Sequence, residues 1–109
     1  MEKVKIKIQI NDYKIENTGI IDNEILMVEN NEMKVQYNFK YNLLIRTNSE
    51  DTIILDFKNN KFTYIDNNTH TKFSHKLVIL KLTNEDKQVN ISYQIDEEVF
   101  HLYIKHETI

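Results

Sequence analysis

His70, His75, His101 and His106 are the side chains best suited to hold a transition metal, because neutral imidazole is the commonest protein ligand for one. Their spacing argues against it. His70 and His75 lie five apart, as do His101 and His106, and residues an odd number apart on one strand point to opposite faces. No metal site is expected. Carboxylates are plentiful, yet Glu29 and Glu32, Glu50 and Asp51, Glu85 and Asp86, and the run Asp96-Glu97-Glu98 all fall in turn-like clusters. Water solvates them there, and nothing raises a pKa towards a catalytic value. Ser49, Ser74 and Ser92 lack the strained elbow of a nucleophile, and a single glycine, Gly19, excludes glycine-rich phosphate loops. With no cysteine, thiolate chemistry, thiolate zinc sites and disulfides are excluded too. The sequence assigns no catalytic residue and no cofactor.

The 109 residues make one domain, spanning 1–109, because a chain of 13.1 kDa can bury one core and not two. A net charge of −3 excludes a general binder of nucleic-acid phosphates. The stripe Lys3, Lys5, Lys7 and the aromatics Tyr37, Phe39, Tyr41 resemble parts of an RNA-binding barrel, but these aromatics continue the parity of Met33 and Val35 and are expected on the core face. A nucleic-acid partner is not expected. The start MEKVKIKIQI alternates charge and apolar residue, so it reads as neither a signal peptide nor a membrane span, and a soluble cytoplasmic protein with no membrane partner is expected. Sixteen isoleucines and fourteen asparagines reflect a compositional skew, which makes lysine or asparagine clusters weak evidence of a site. Asparagine takes over work that glycine does elsewhere, since it tolerates the left-handed backbone.

The elements that position these residues are strands. Val4, Ile6, Ile8 and Ile10 alternate with Lys3, Lys5, Lys7 and Gln9, and Met33, Val35, Tyr37 and Phe39 alternate with Lys34, Gln36 and Asn38. His75 to Leu82 has the length of a short helix, but its apolar run Leu77-Val78-Ile79-Leu80 reads equally as a fully buried strand, and the flanking strands favour the strand. Two-residue hairpin loops fix three registers. Asn11-Asp12 pairs Ile10 with Tyr13 and Ile8 with Ile15. Asp96-Glu97 pairs Tyr93 with Phe100, Ile91 with Leu102 and Val89 with Ile104. Asn59-Asn60 pairs Phe57 with Phe62 and Leu55 with Tyr64, which sets Ile54 beside Ile65 on the opposite face. With the remaining turn clusters this gives about eight to ten strands at the spacing of sandwiches and barrels. The fold expected is all-β, a small antiparallel up-and-down barrel of the lipocalin or calycin kind, with a β-sandwich as the alternative.

The order of features resembles the YwiB-like family of small bacterial proteins. That family carries a lysine-alternating first strand, a glycine step, a Phe-Glu-Glu-Gly-Lys hairpin, a Tyr-Tyr-Asp-Thr-Pro-Tyr-Gly loop and a final hairpin around Ile-Asn-Gly-Gln-Phe. Here these fall on Lys3 to Ile10, Asn17-Thr18-Gly19, Phe57 to Lys61, Tyr64 to His70 and Ile95 to Phe100. Asn68-Thr69-His70 stands where the family has Pro-Tyr-Gly, and of that loop Tyr64 and Asp66 are kept. The resemblance implies a lipocalin-like barrel and carries over no activity.

Two kinds of non-enzymatic function are open on these residues. Ile54 and Ile65, with Val99 outward on the last hairpin, form the candidate surface of a protein-interaction module, with a homodimer as its simplest form. Alternatively Tyr37, Tyr64 and Tyr93, pointing inward among Ile, Leu and Phe, with Asp66 and His70 at the mouth, would suit a carrier or sensor of a small apolar ligand.

Overall fold

The computed structural model describes residues 1–109 as β1 (Glu2–Ile10), β2 (Tyr13–Asp22), β3 (Ile25–Glu29), β4 (Met33–Asn38), β5 (Leu43–Asn48), β6 (Asp51–Asp56), β7 (Lys61–Asp66), β8 (Lys72–Glu85), β9 (Gln88–Ile95) and β10 (Glu98–Thr108). There is no helix. Each strand is antiparallel to its sequence neighbours, and β1 also pairs with β10, from Val4 opposite Thr108 to Ile10 opposite Leu102. The sheet therefore closes into the expected up-and-down barrel, and a two-sheet sandwich is not what forms. Closure follows from the pattern: period-two strands with one apolar face bury it by curling the sheet, and closing it leaves no unpaired edge.

Val4, Ile6 and Ile8 of β1 face inward with Ile15 of β2, Leu26 and Val28 of β3, Val35 and Tyr37 of β4, and Val89, Ile91, Leu102 and Ile104 of β9 and β10, all buried. The lysines between them face outward. This polarity, apolar within and charged without, is the reverse of a transmembrane barrel's; no helix is long and apolar enough to cross a membrane.

Two of the three hairpins have the expected register, Ile8 opposite Ile15 and Tyr93 opposite Phe100 among their pairs. The third is offset by two. Leu55 faces Phe62, Ile53 faces Tyr64 and Ile54 faces Thr63, so Ile54 and Ile65 are diagonal neighbours and not directly opposed. Phe57 leaves the ladder to bury its ring edge-on against Tyr93, 5.2 Å between centroids. A four-residue turn results, which Asp56 holds by accepting bonds from the backbone and side chain of Asn59 at 3.0 and 2.9 Å. An offset of two preserves parity, so the inner and outer faces stay as expected.

β8 differs more. A bulge between Ile79 and Lys81 leaves Leu80 without a partner, and Val78 and Leu80 are exposed, so the apolar run is half-buried and not fully buried. The extra residue keeps Leu82 facing Ile91 inside. Gly19, on the inner parity of β2, is there because a Cβ would lie 2.2 Å from the Met27 carbonyl oxygen and 2.5 Å from Ile6 Cδ1.

Candidate functional site

Strands β5 to β10 and the end of β1 enclose a cleft of about 720 Å³ at the barrel end that carries the β1–β2, β5–β6, β7–β8 and β9–β10 turns. Nine of its fourteen lining residues are apolar, among them Ile10, Ile53, Phe62, Phe73, Ile95 and Phe100. The size has a simple origin. Eight strands leave an interior that side chains just fill, whereas this barrel has ten, and its core side chains pack the remainder of the interior.

Tyr93 lies on the floor of this cleft, 2% exposed, with its ring stacked on Phe100 at 5.4 Å. Every fully sealed side-chain nitrogen or oxygen in the protein has a hydrogen-bond partner. The Tyr93 hydroxyl makes no hydrogen bond within the protein, so it is not fully sealed, and Tyr93 is among the residues that line the cleft. Burial pushes its pKa above the usual tyrosine value, which keeps it protonated and able to donate.

Charge is arranged unevenly around this floor. Arg46 is inside on β5, and its guanidinium is ion-paired with Asp51 of β6, both side chains largely covered. His75 of β8 faces the cleft, with Nδ1 3.9 Å from the Asp96 carboxylate. Asp96, Glu97 and Glu98 form the rim, and Asp96 is 75% exposed.

The other residues singled out in the sequence lie around this cleft and outside it. Tyr37 is sealed in the core, its hydroxyl donating to Asn42 Oδ1 at 2.9 Å, and it does not line the cleft. Tyr64 lies against Phe73 at 5.1 Å beside the mouth; desolvation first, then the charges of Asp51 and Asp66, push its pKa up. Asp66 is occupied within its own loop. Its carboxylate accepts from the backbone N–H groups of Thr69 and Asn68 at 3.1 and 2.9 Å, which holds its pKa below the ordinary value. His70, with a φ of 60°, donates its backbone N–H to the Asp66 carbonyl. Asn67 ties this loop to the β5–β6 turn through the Asn48 carbonyl and the Thr52 hydroxyl. The loop is thus a brace at the cleft end of the barrel.

On the outer surface Ile54 and Ile65 are half-covered, while Val99 is exposed, with Val78 across the intervening Gln94. These lie apart: on β8 the partner of the Ile54 row is Ser74, four residues from Val78. Tyr41 does not face the core as its parity suggested: β4 ends at Asn38, parity does not carry into the turn, and the ring is exposed beneath the ammonium groups of Lys40 and Lys58. A shallower depression of about 470 Å³ lies over Lys5, Lys7, Tyr103 and Lys105, where Lys7 pairs with Glu16 and Lys105 with Glu107.

Of the five residues that the sequence offered for a ligand cavity, Tyr93 alone lines the cleft; Arg46, Phe73 and His75 are among the lining residues to which it gave no part in one. The signal for Arg46 was its parity, two residues beyond the inward Leu44, which makes the chain's one arginine an inward one. Comparison of the chain with protein-family models, with curated proteins and with solved structures returned no match.

Proposed function

We propose that this chain is a non-enzymatic binding barrel that takes a small, largely apolar ligand into the cleft at the end carrying the β9–β10 turn. One observation carries the reading: a cleft of about 720 Å³, walled mostly by apolar side chains, is lined by Tyr93, whose hydroxyl makes no hydrogen bond within the protein and is not sealed from solvent. That volume is within the range of small-molecule sites, and one well-placed polar atom among apolar walls is how such sites orient a ligand. The loop brace of Asp66 and Asn67 supports it by holding the mouth. Kinship with the YwiB-like family and a cytoplasmic location belong to the same proposal.

The test is titration with N-phenyl-1-naphthylamine, an uncharged apolar dye whose fluorescence rises on leaving water. One saturable site per chain is expected. Ile53→Trp, which places a larger ring in the cleft, should weaken binding by about tenfold or more, roughly 1.4 kcal/mol, with the circular dichroism unchanged. Unsaturable binding to the wild type overturns the proposal.

The exposure of Val78 and Leu80 on β8 and of Val99 on β10, either side of β9, favours a second reading, an outer face that meets a protein partner or a second copy. Light scattering separates them: a concentration-dependent dimer supports this reading, and a monomer with a saturable dye site leaves the cleft alone.

A further inference from the structure

The charges around the cleft narrow the chemistry of what it takes. A barrel that carries an anionic amphiphile needs a free cation inside. Here the one arginine is already neutralised by Asp51, no lysine lines the cleft, and His75 is turned towards Asp96. The rim is a run of three carboxylates, Asp96, Glu97 and Glu98, whose one cross-strand partner is that histidine. A carboxylate or phosphate entering the mouth would meet like charge. A cation would meet opposite charge, and also the faces of aromatic rings: Phe73 is 47% exposed and edge-on to His75 at 5.3 Å. Ring faces attract cations, most of all where water is partly excluded. Beneath, Tyr93 waits at the floor with an unpaired hydroxyl.

Resting on the cleft reading above, we infer that the ligand is a lipophilic amine, with an apolar body in the barrel, a protonated nitrogen at the Asp96–Glu98 rim and a hydrogen-bonding atom at the buried end for the Tyr93 hydroxyl. The rim supplies selectivity and the apolar walls supply most of the affinity. Because the carboxylates are exposed, their contribution falls with salt.

Three probes sharing one alkyl chain, decylammonium, 1-decanol and decanoate, are compared at neutral pH and low salt by displacement of the dye, each below its micelle concentration. Decylammonium should displace at about five- to tenfold lower concentration than decanoate, with decanol between them, as expected for two or three carboxylates acting through water. In the variant carrying Asp96→Asn, Glu97→Gln and Glu98→Gln the two charged probes should come within about twofold of each other while decanol is unmoved. Asparagine is well suited to the positive φ of position 96, so the turn should be kept. Decanoate binding as well as decylammonium, or a preference that survives in the triple variant, overturns the amine inference and leaves the cleft reading standing. A dye that finds no saturable site overturns both.

Discussion

His106 shows how a single position in this barrel ties burial to pH. It stands on the inner parity of β10, opposite Ile6, half-covered and 5.7 Å from the Phe39 ring, with Glu2, Asp86 and Lys87 as the charges around it. Desolvation first, and then Lys87, hold its pKa below the usual histidine value, against the opposing pull of Glu2 and Asp86. A lowered folded pKa means that the unfolded chain binds the proton more readily. The stability His106 contributes is therefore fully present above the unfolded pKa of about 6.5 and is lost as pH falls through that value towards the folded one. Urea midpoints measured at pH values on either side should fall on acidification, and fall less in His106→Phe. An equal fall in both would place the pH response elsewhere. At this scale parity in the sequence correctly puts Tyr93 inside. What it could not show is that Tyr37 finds a partner in Asn42 while Tyr93 finds none, because that depends on where two turns arrive in space.

Turns decide most of what differs between pattern and structure among the elements. All eight residues with positive φ are non-glycine: Asn11, Asn23, Glu24, Asn42, Asn60, His70, Lys87 and Asp96. Asparagine does fill the left-handed positions, as its abundance suggested, but not all of them. In the two-residue turn between Asp22 and Ile25, both Asn23 (51°) and Glu24 (68°) are left-handed, the pattern of a type I′ hairpin, for which Asn-Gly is the favoured pair. A glutamate there bears a penalty of roughly 1–2 kcal/mol that glycine does not, less the greater entropy glycine loses on folding. Glu24→Gly should stabilise the protein by about 0.5–1 kcal/mol in urea unfolding, and no gain would mean the strain is relieved by a contact of Glu24. The β6–β7 turn departs from its sequence pattern for a related reason. Asn59-Asn60 looks like a two-residue loop, yet burying Phe57 on Tyr93 outweighs the tighter turn. The bulge in β8 was invisible because an uninterrupted apolar run has no parity to break.

The whole molecule is a ring of strands in which the first and last are neighbours. Since Val4 lies opposite Thr108, the two termini are side by side. A circular permutant with Ile109 joined to Met1 by a short Gly/Ser linker, and new ends between the exposed Lys40 and Tyr41, should fold with the same far-ultraviolet circular dichroism and lose no more than about 2 kcal/mol. A collapsed product without cooperative unfolding would show that β1 and β10 do not close the barrel. Closure also has a bearing on synthesis. A ribosome releases β1 first, but its second neighbour begins only at Glu98, so every nascent chain holds a half-open sheet until the final strand emerges. During that interval Lys3, Lys5 and Lys7 are the charges standing along the waiting strand. They are the side chains that discourage a neighbouring nascent chain from taking the place reserved for β10.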